Sequence, residues 1–136
     1  MTNNNYDKFG ERRKTIPFEN KVKRVKDATK NRYQIIVDGL RKYNFNDRIS
    51  VHGETFSFKK RKLIYLTFIG ETLKVYFRLK YKDYIDSTIP LKDASTIKKY
   101  KDTPTYLVIK SDLAARRVVL LGEKIVKQNR IPKHKS

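Results

Sequence analysis

Cysteine is absent from the 136 residues, which excludes disulfides, thiolate nucleophiles and cysteine-based zinc sites. Histidine is almost absent. His52 and His134 have no partner at metal-ligand or catalytic spacing. Glycine occurs five times, at 10, 39, 53, 70 and 122, too scattered for a phosphate-cradling loop. No apolar run approaches the roughly 20 residues that span a bilayer. The opening stretch MTNNNYDKFGERRK lacks the apolar segment of a signal peptide. A cytoplasmic protein without membrane contact is therefore expected.

Acidic residues are the most telling shortage. Lys plus Arg number 33 against 14 Asp plus Glu, a formal charge of +19. Such self-repulsion opposes compaction unless an anionic partner neutralises it, so a polyanion is the expected partner. A coding sequence rich in A and T would also raise Lys, yet would not equally deplete Asp and Glu. Nine Tyr and seven Phe supply large units of burial, enough for one core in a chain of this length.

One domain is expected over residues 18–127, with basic flexible tails at 1–17 and 128–136. From Lys23 to Tyr43 apolar positions recur at Val25, Tyr33, Ile36, Leu40 and Tyr43, which predicts an amphipathic helix capped by Asp27. Arg48–Phe58, broken by Gly53, suits two short strands. Leu63–Ile69 and Thr72–Lys80 are the clearest strands. A short helix near Asp93–Lys99, a strand over Thr105–Lys110 and a helix from Leu113 to about Lys127 follow, the last capped by Ser111-Asp112 with Ala114, Val118, Leu121 and Ile125 on one face. The fold class is α+β: an N-terminal helix, an antiparallel meander of four to five strands and a C-terminal helix, both helices on one face of the sheet.

Gly70-Glu71 reads as a two-residue type II′ turn, and this sets the register of the central hairpin. Phe68 then opposes Leu73, Leu66 opposes Val75 and Ile64 opposes Phe77, an apolar face. On the other face Thr67 meets Lys74, Tyr65 meets Tyr76 and Leu63 meets Arg78, with Lys80 beyond. An exposed tyrosine pair among cations suits single-stranded nucleic acid, whose bases stack on rings while phosphates meet ammonium groups. The same pair would also serve simply to brace a half-exposed sheet.

The cation run Lys59, Lys60, Arg61 and Lys62 falls between strands and is expected as a solvated loop. With Lys82 and the Lys74, Arg78 and Lys80 stripe it would form a patch that positions phosphates without reading bases. Lys98, Lys99 and Lys101, and the pair Arg116 and Arg117, would extend it. Glu19-Asn20-Lys21 matches the short E-x-K of metal-dependent nucleases but lacks a second carboxylate to hold a metal. Asp83 and Asp86 are close in sequence but lie among lysines, unlike a tuned acid–base pair. No catalytic residue, metal ligand or cofactor is assigned, and the chain reads as non-enzymatic.

The segments RISVHGETFSFKKRKLIYLTFIGETLKVYFRL, DYIDS and KKYKDTPTYLVIKSD, with FENKV ahead of them, resemble an uncharacterised bacterial single-domain family over roughly Phe18–Lys127. In element order the chain is more distantly similar to YdhG-like, frataxin-related domains. That resemblance implies one antiparallel sheet with the terminal helices on one face. Val51 stands where members of the family often carry an aromatic, and the excess charge is particular to this chain. Iron binding is not carried over, because the acidic ridge it needs is missing. The expected function is binding of nucleic acid, RNA or the ribosome before DNA. The alternatives are an interaction module of phage or mobile-element type that covers an acidic protein surface, and an enzyme or small-ligand domain with a pocket between sheet and helices.

Overall fold

A computed structural model describes residues 16–134. The fold is α+β, with three α-helices and a six-stranded antiparallel sheet. The helices are α1 (Phe18–Arg24), α2 (Asp27–Leu40) and α3 (Asp112–Asn129); the strands are β1 (Asn46–Ile49), β2 (Glu54–Phe58), β3 (Arg61–Ile69), β4 (Thr72–Phe77), β5 (Lys92–Asp93) and β6 (Thr105–Ile109). Strand order is β1-β2-β3-β4-β6-β5. The first four strands form a meander, and β6 inserts between β4 and the short edge strand β5.

The central hairpin has the register that Gly70-Glu71 predicts: Phe68 pairs with Leu73, Leu66 with Val75, Ile64 with Phe77 and Tyr65 with Tyr76. Gly70 has φ of 64° while Glu71 stays on the negative side, which is the type II′ combination. The inner set Ile64, Leu66, Phe68, Leu73, Val75 and Phe77 is buried against Phe18, Ile36, Leu40, Val118 and Ile125 of the helices. All three helices pack on this face, α1 against β3, α2 against β4 and α3 against β6.

The single N-terminal helix expected from Lys23 is in fact two. Val25 and Lys26 are extended, with ψ of 163° and 152°, so FENKV is itself a helix and Asp27 opens the second one rather than capping it. The break lets Val25 drop into the core and swings α1 so that the Phe18 ring meets Phe68 at 5.4 Å, while its N–H donates to the Val51 carbonyl at 2.7 Å. A periodicity of 3.6 persists through such a break because both pieces bury the same side.

The expected tail at 128–136 is also corrected as far as His134. α3 runs on to Asn129 and closes in a Schellman motif, with Arg130 N–H donating to Lys127 O at 3.3 Å and Ile131 N–H to Val126 O at 3.0 Å. Ile131 is buried. Lys133 then bridges to Tyr43, and His134 N–H donates to Lys42 O at 2.8 Å. The other expected tail, 1–17, lies outside the described residues except for Ile16 and Pro17, which are exposed, with Pro17 capping α1.

Between β4 and β6 the expected helix near Asp93–Lys99 is replaced by β5, a turn and a 3-10 turn at Lys98–Tyr100; another 3-10 turn covers Tyr81–Tyr84. The segment from Ala94 to Pro104 folds back over the outer face of the sheet, closed by Ala94 N–H to Pro104 O at 2.7 Å. A second, smaller core of Tyr65, Tyr76, Ala94 and Tyr100 forms beneath it.

α2 and α3 approach closely where each has a glycine. A methyl added at Gly39 would lie 2.6 and 2.7 Å from the two methyls of Val119. Val119 is stiff at χ1 and cannot swing away. Gly39→Ala is therefore expected to lower stability in urea denaturation by about 1–2 kcal/mol, overpacking outweighing the gain in helix propensity.

Candidate functional site

The outer face does not present the expected tyrosine pair. Tyr65 and Tyr76 are 8% and 3% exposed, and neither can stack on a base. Tyr100 covers Tyr76 with ring centroids 3.8 Å apart and planes 7° from parallel; Tyr106 flanks it at 5.0 Å. Burial, then hydrogen bonding with Tyr100, pushes the Tyr76 hydroxyl above its ordinary range, and burial does the same for Tyr65, so these rings are neutral packing units. The signal for the cover was Tyr100 among lysines in a stretch with no period.

The four-cation loop is also corrected. Lys59 and Lys60 alone form the turn between β2 and β3, while Arg61 and Lys62 are the first residues of β3. Two residues with φ of 51° and 66° make a type I′ turn built of lysine, where Asn-Gly is the unstrained choice. Strand alternation then parts the run, because successive side chains point to opposite faces. Lys62 goes to the outer face, with its ammonium 5.4 Å over the Tyr65 ring. Lys59 and Arg61 line a cavity of about 270 Å³ with Phe58, Gln128, Asn129 and Arg130, at the C-terminal end of α3.

Beside it, and sharing Gln128, lies a second cavity of about 300 Å³ lined by Arg78, Lys80, Asp83, Tyr84 and Lys124. Lys124 sits 4.7 Å over the Tyr84 ring. The two cavities together gather six cations and one carboxylate. Arg78 is partly committed to the fold, since its Nε donates to Lys62 O at 2.8 Å and a terminal nitrogen lies 3.8 Å from Asp102. Lys82 is exposed in the adjoining 3-10 turn. The sequence reading missed Arg130 and Lys124, whose places depend on how far α3 runs and where it ends.

Lys74 stands on the outer face, its ammonium 5.4 Å over Tyr106, and so is apart from this band. Lys99 joins Lys62 across a small cavity on that same face. Arg116 and Arg117 are on α3, across the sheet from Lys62 and Lys74, and do not extend their patch.

Three described non-glycine residues have positive φ: Lys59, Lys60 and Arg130 at 51°, 66° and 54°. All are cations; Lys59 and Arg130 line the same cavity, and Lys60 follows Lys59 in the β2–β3 turn. Each left-handed residue with a Cβ costs roughly 1–2 kcal/mol, and glycine would avoid that at both a type I′ turn and a helix C′ position. Lys59 has the Phe58 ring at 5.5 Å; among the described residues Lys60 and Arg130 make no side-chain hydrogen bond or ion pair that would offset the strain.

One strongly perturbed group lies elsewhere. Glu54, at 0% exposure on the inner face of β2, accepts a short hydrogen bond from the Tyr33 hydroxyl, and Arg41 approaches its other oxygen at 3.3 Å. Burial first, and then a hydrogen bond with Asp47, push its carboxyl up to about 7, against the pull of Arg41. Glu54 itself lines no described cavity, but its partners Arg41 and Asp47 line one of about 400 Å³ with Lys42, Tyr43, Phe45, Phe56 and His134. The cluster ties α2 to β1 and β2, with Arg41 also held by Asp47 at 2.9 Å. Among the described residues no group of His, Asp or Glu is arranged to hold a metal ion, and no helix is long and apolar enough to cross a membrane.

Between about pH 4.5 and 7 folded Glu54 keeps a proton that the unfolded chain releases. Stability from this group is fully present below that window, falls as pH rises through it and is level above it. Tyr33, Arg41 and Asp47 face the carboxyl, so Glu54→Gln, which keeps an acceptor for Tyr33, is expected to remove this slope from urea denaturation measured across the window. A slope that survives the substitution would assign it to another group.

Comparison with protein-family models, with curated proteins and with solved structures finds no match to this chain.

Proposed function

We propose that the protein binds nucleic acid through its phosphate backbone and carries out no chemistry on it. The observation that carries this reading is the convergence of strained cations at the α3 C-terminus. Lys59, Lys60 and Arg130 occupy backbone positions where glycine is cheaper, yet their charged groups gain little within the fold. Their stabilisation lies in a partner, and strain of this kind concentrates at binding sites. Arg61, Lys80 and Lys124 add to the same concave band, and the net charge of +19 selects a polyanion over a single small ligand.

The band positions phosphates. The tyrosines that favoured RNA over DNA lie under Tyr100, out of reach of bases. The reading is accordingly for the phosphate backbone that RNA, the ribosome and DNA share. Ammonium and guanidinium groups release condensed counterions from that backbone, so affinity falls steeply with salt.

Fluorescence anisotropy with labelled RNA and DNA of mixed sequence tests this. If five phosphates are engaged, log Kd against log salt has a slope near 4 to 5 in magnitude, and replacing Arg61 and Lys124 by Gln lowers it by about 2. Affinity independent of salt would overturn the reading, as would recovery of the protein from cells with one stoichiometric acidic protein and nothing sensitive to nuclease.

A second test uses the strain itself. Lys59→Asn with Lys60→Gly converts the turn to its unstrained form and is expected to raise stability by about 1–3 kcal/mol while weakening nucleic-acid binding several-fold. A variant that is more stable and binds as well as the parent would remove the turn from the interface.

A further inference from the structure

On the outer face, away from the α3 band, a cavity of about 180 Å³ lies between the β2–β3 surface and the 3-10 turn at Lys98–Tyr100. It is well under the roughly 300–1,000 Å³ of pockets that hold drug-sized molecules, so it admits only a small group. Its floor is aromatic: Tyr65 and Tyr100, with ring centroids 6.4 Å apart. Over each ring stands an ammonium, Lys62 at 5.4 Å from the Tyr65 centroid and Lys99 at 5.6 Å from that of Tyr100. Two like charges are thus held over neighbouring rings, and among the described residues no carboxylate lines the cavity.

The remaining lining is polar. His52, Ser50, Thr55 and Thr103 line the same space, and Thr103 is only 2% exposed. The Ser50 hydroxyl donates to Gly53 O at 3.1 Å, so the further side-chain donors beside the two ammonium groups are Thr55, Thr103 and the His52 ring. Backbone constraints keep this arrangement in place. Thr67 donates to the His52 carbonyl at 2.8 Å, and Thr103 N–H closes the 3-10 turn on Tyr100 O at 3.0 Å. Cation–π contact of this exposed kind is worth roughly 0.5–1 kcal/mol, so each ring steers a lysine without binding it tightly.

We propose that this cavity is a binding site for a single phosphate group, held by Lys62 and Lys99 with Thr55 and Thr103 as supporting donors. A tetrahedral dianion matches the set: several donors converge, both charges are positive, and the space suits one oxyanion. The site does not depend on the α3 band, because its ligand is the phosphate group by itself. That group is either free inorganic phosphate or the terminal phosphate of a nucleic-acid strand.

The full-length protein, titrated with inorganic phosphate and followed by amide NMR shifts at constant ionic strength, tests the site. Saturable shifts are expected at residues 50–55, 62 and 99–103. Lys62→Gln or Lys99→Gln should weaken binding at least about tenfold, whereas Lys74→Gln, on the same face but outside the cavity, should leave it unchanged; thermal melts check that each variant folds. Shifts that spread evenly over surface lysines without saturating, or Lys62→Gln and Lys99→Gln variants that bind as the parent does, would overturn the site. A parallel comparison of 5′-phosphorylated and 5′-hydroxyl strands identifies the source. A preference for the phosphorylated end that Lys99→Gln abolishes assigns the site to strand termini, and phosphate binding without that preference assigns it to the free anion. Loss of the phosphate response with salt-dependent strand binding intact would sink this site and leave the α3 band standing.

Discussion

The pairing of β3 with β4 across Gly70 is the constraint on which the rest of the molecule depends. With the turn residue in the left-handed region, only one register is open to the two strands, and a slip of one residue would exchange their faces. That register sends Leu66, Phe68, Val75 and Phe77 to the helices and sends Tyr65 and Tyr76 to the other side. Every later element is placed by which of these two faces it covers. α1, α2 and α3 close the aliphatic face, and the segment after β5 closes the aromatic one.

Two-sided burial explains how a small chain of +19 stays folded. Apolar and aromatic contact is made on both sides of β3 and β4, where it offsets charge repulsion confined to the surface. Glu54, the one fully buried acid among the described residues, is tolerated because Tyr33 and Arg41 donate to its oxygens, and because its raised carboxyl need not carry charge below neutral pH. The carbonyl end of α3 helps in another way. Its partial negative charge favours the cations around it, Lys124 and Arg130 among them.

The same end of the molecule shows where folding and binding pull apart. A helix C′ position and a type I′ turn both call for glycine or asparagine, and here they hold Arg130, Lys59 and Lys60. Locally each choice costs stability. Lys59 and Arg130 thereby bring positive charge from two elements far apart in sequence into one concavity. A sequence that met every local preference would have removed these three charges from this end of the protein.

The sequence by itself determined what depends on neighbours in the chain. Gly70-Glu71 set a hairpin register, Ser111 capped α3 through its hydroxyl, and the spacing of Ala114, Val118, Leu121 and Ile125 marked the buried face of that helix, because turn geometry, capping and helical period are local properties. Tertiary structure decided the rest. Whether Tyr65 and Tyr76 met solvent depended on Tyr100 arriving from 24 residues beyond Tyr76, a contact with no periodic signature. The split at Val25-Lys26, the docking of Ile131 and the separation of Lys62 from Lys59 likewise follow from long-range packing and strand alternation, which sort residues adjacent in sequence onto different sides of the sheet. Charge could be counted from the residues alone, but its division between a band at the end of α3 and a cavity over the tyrosines was fixed only when the chain closed on itself.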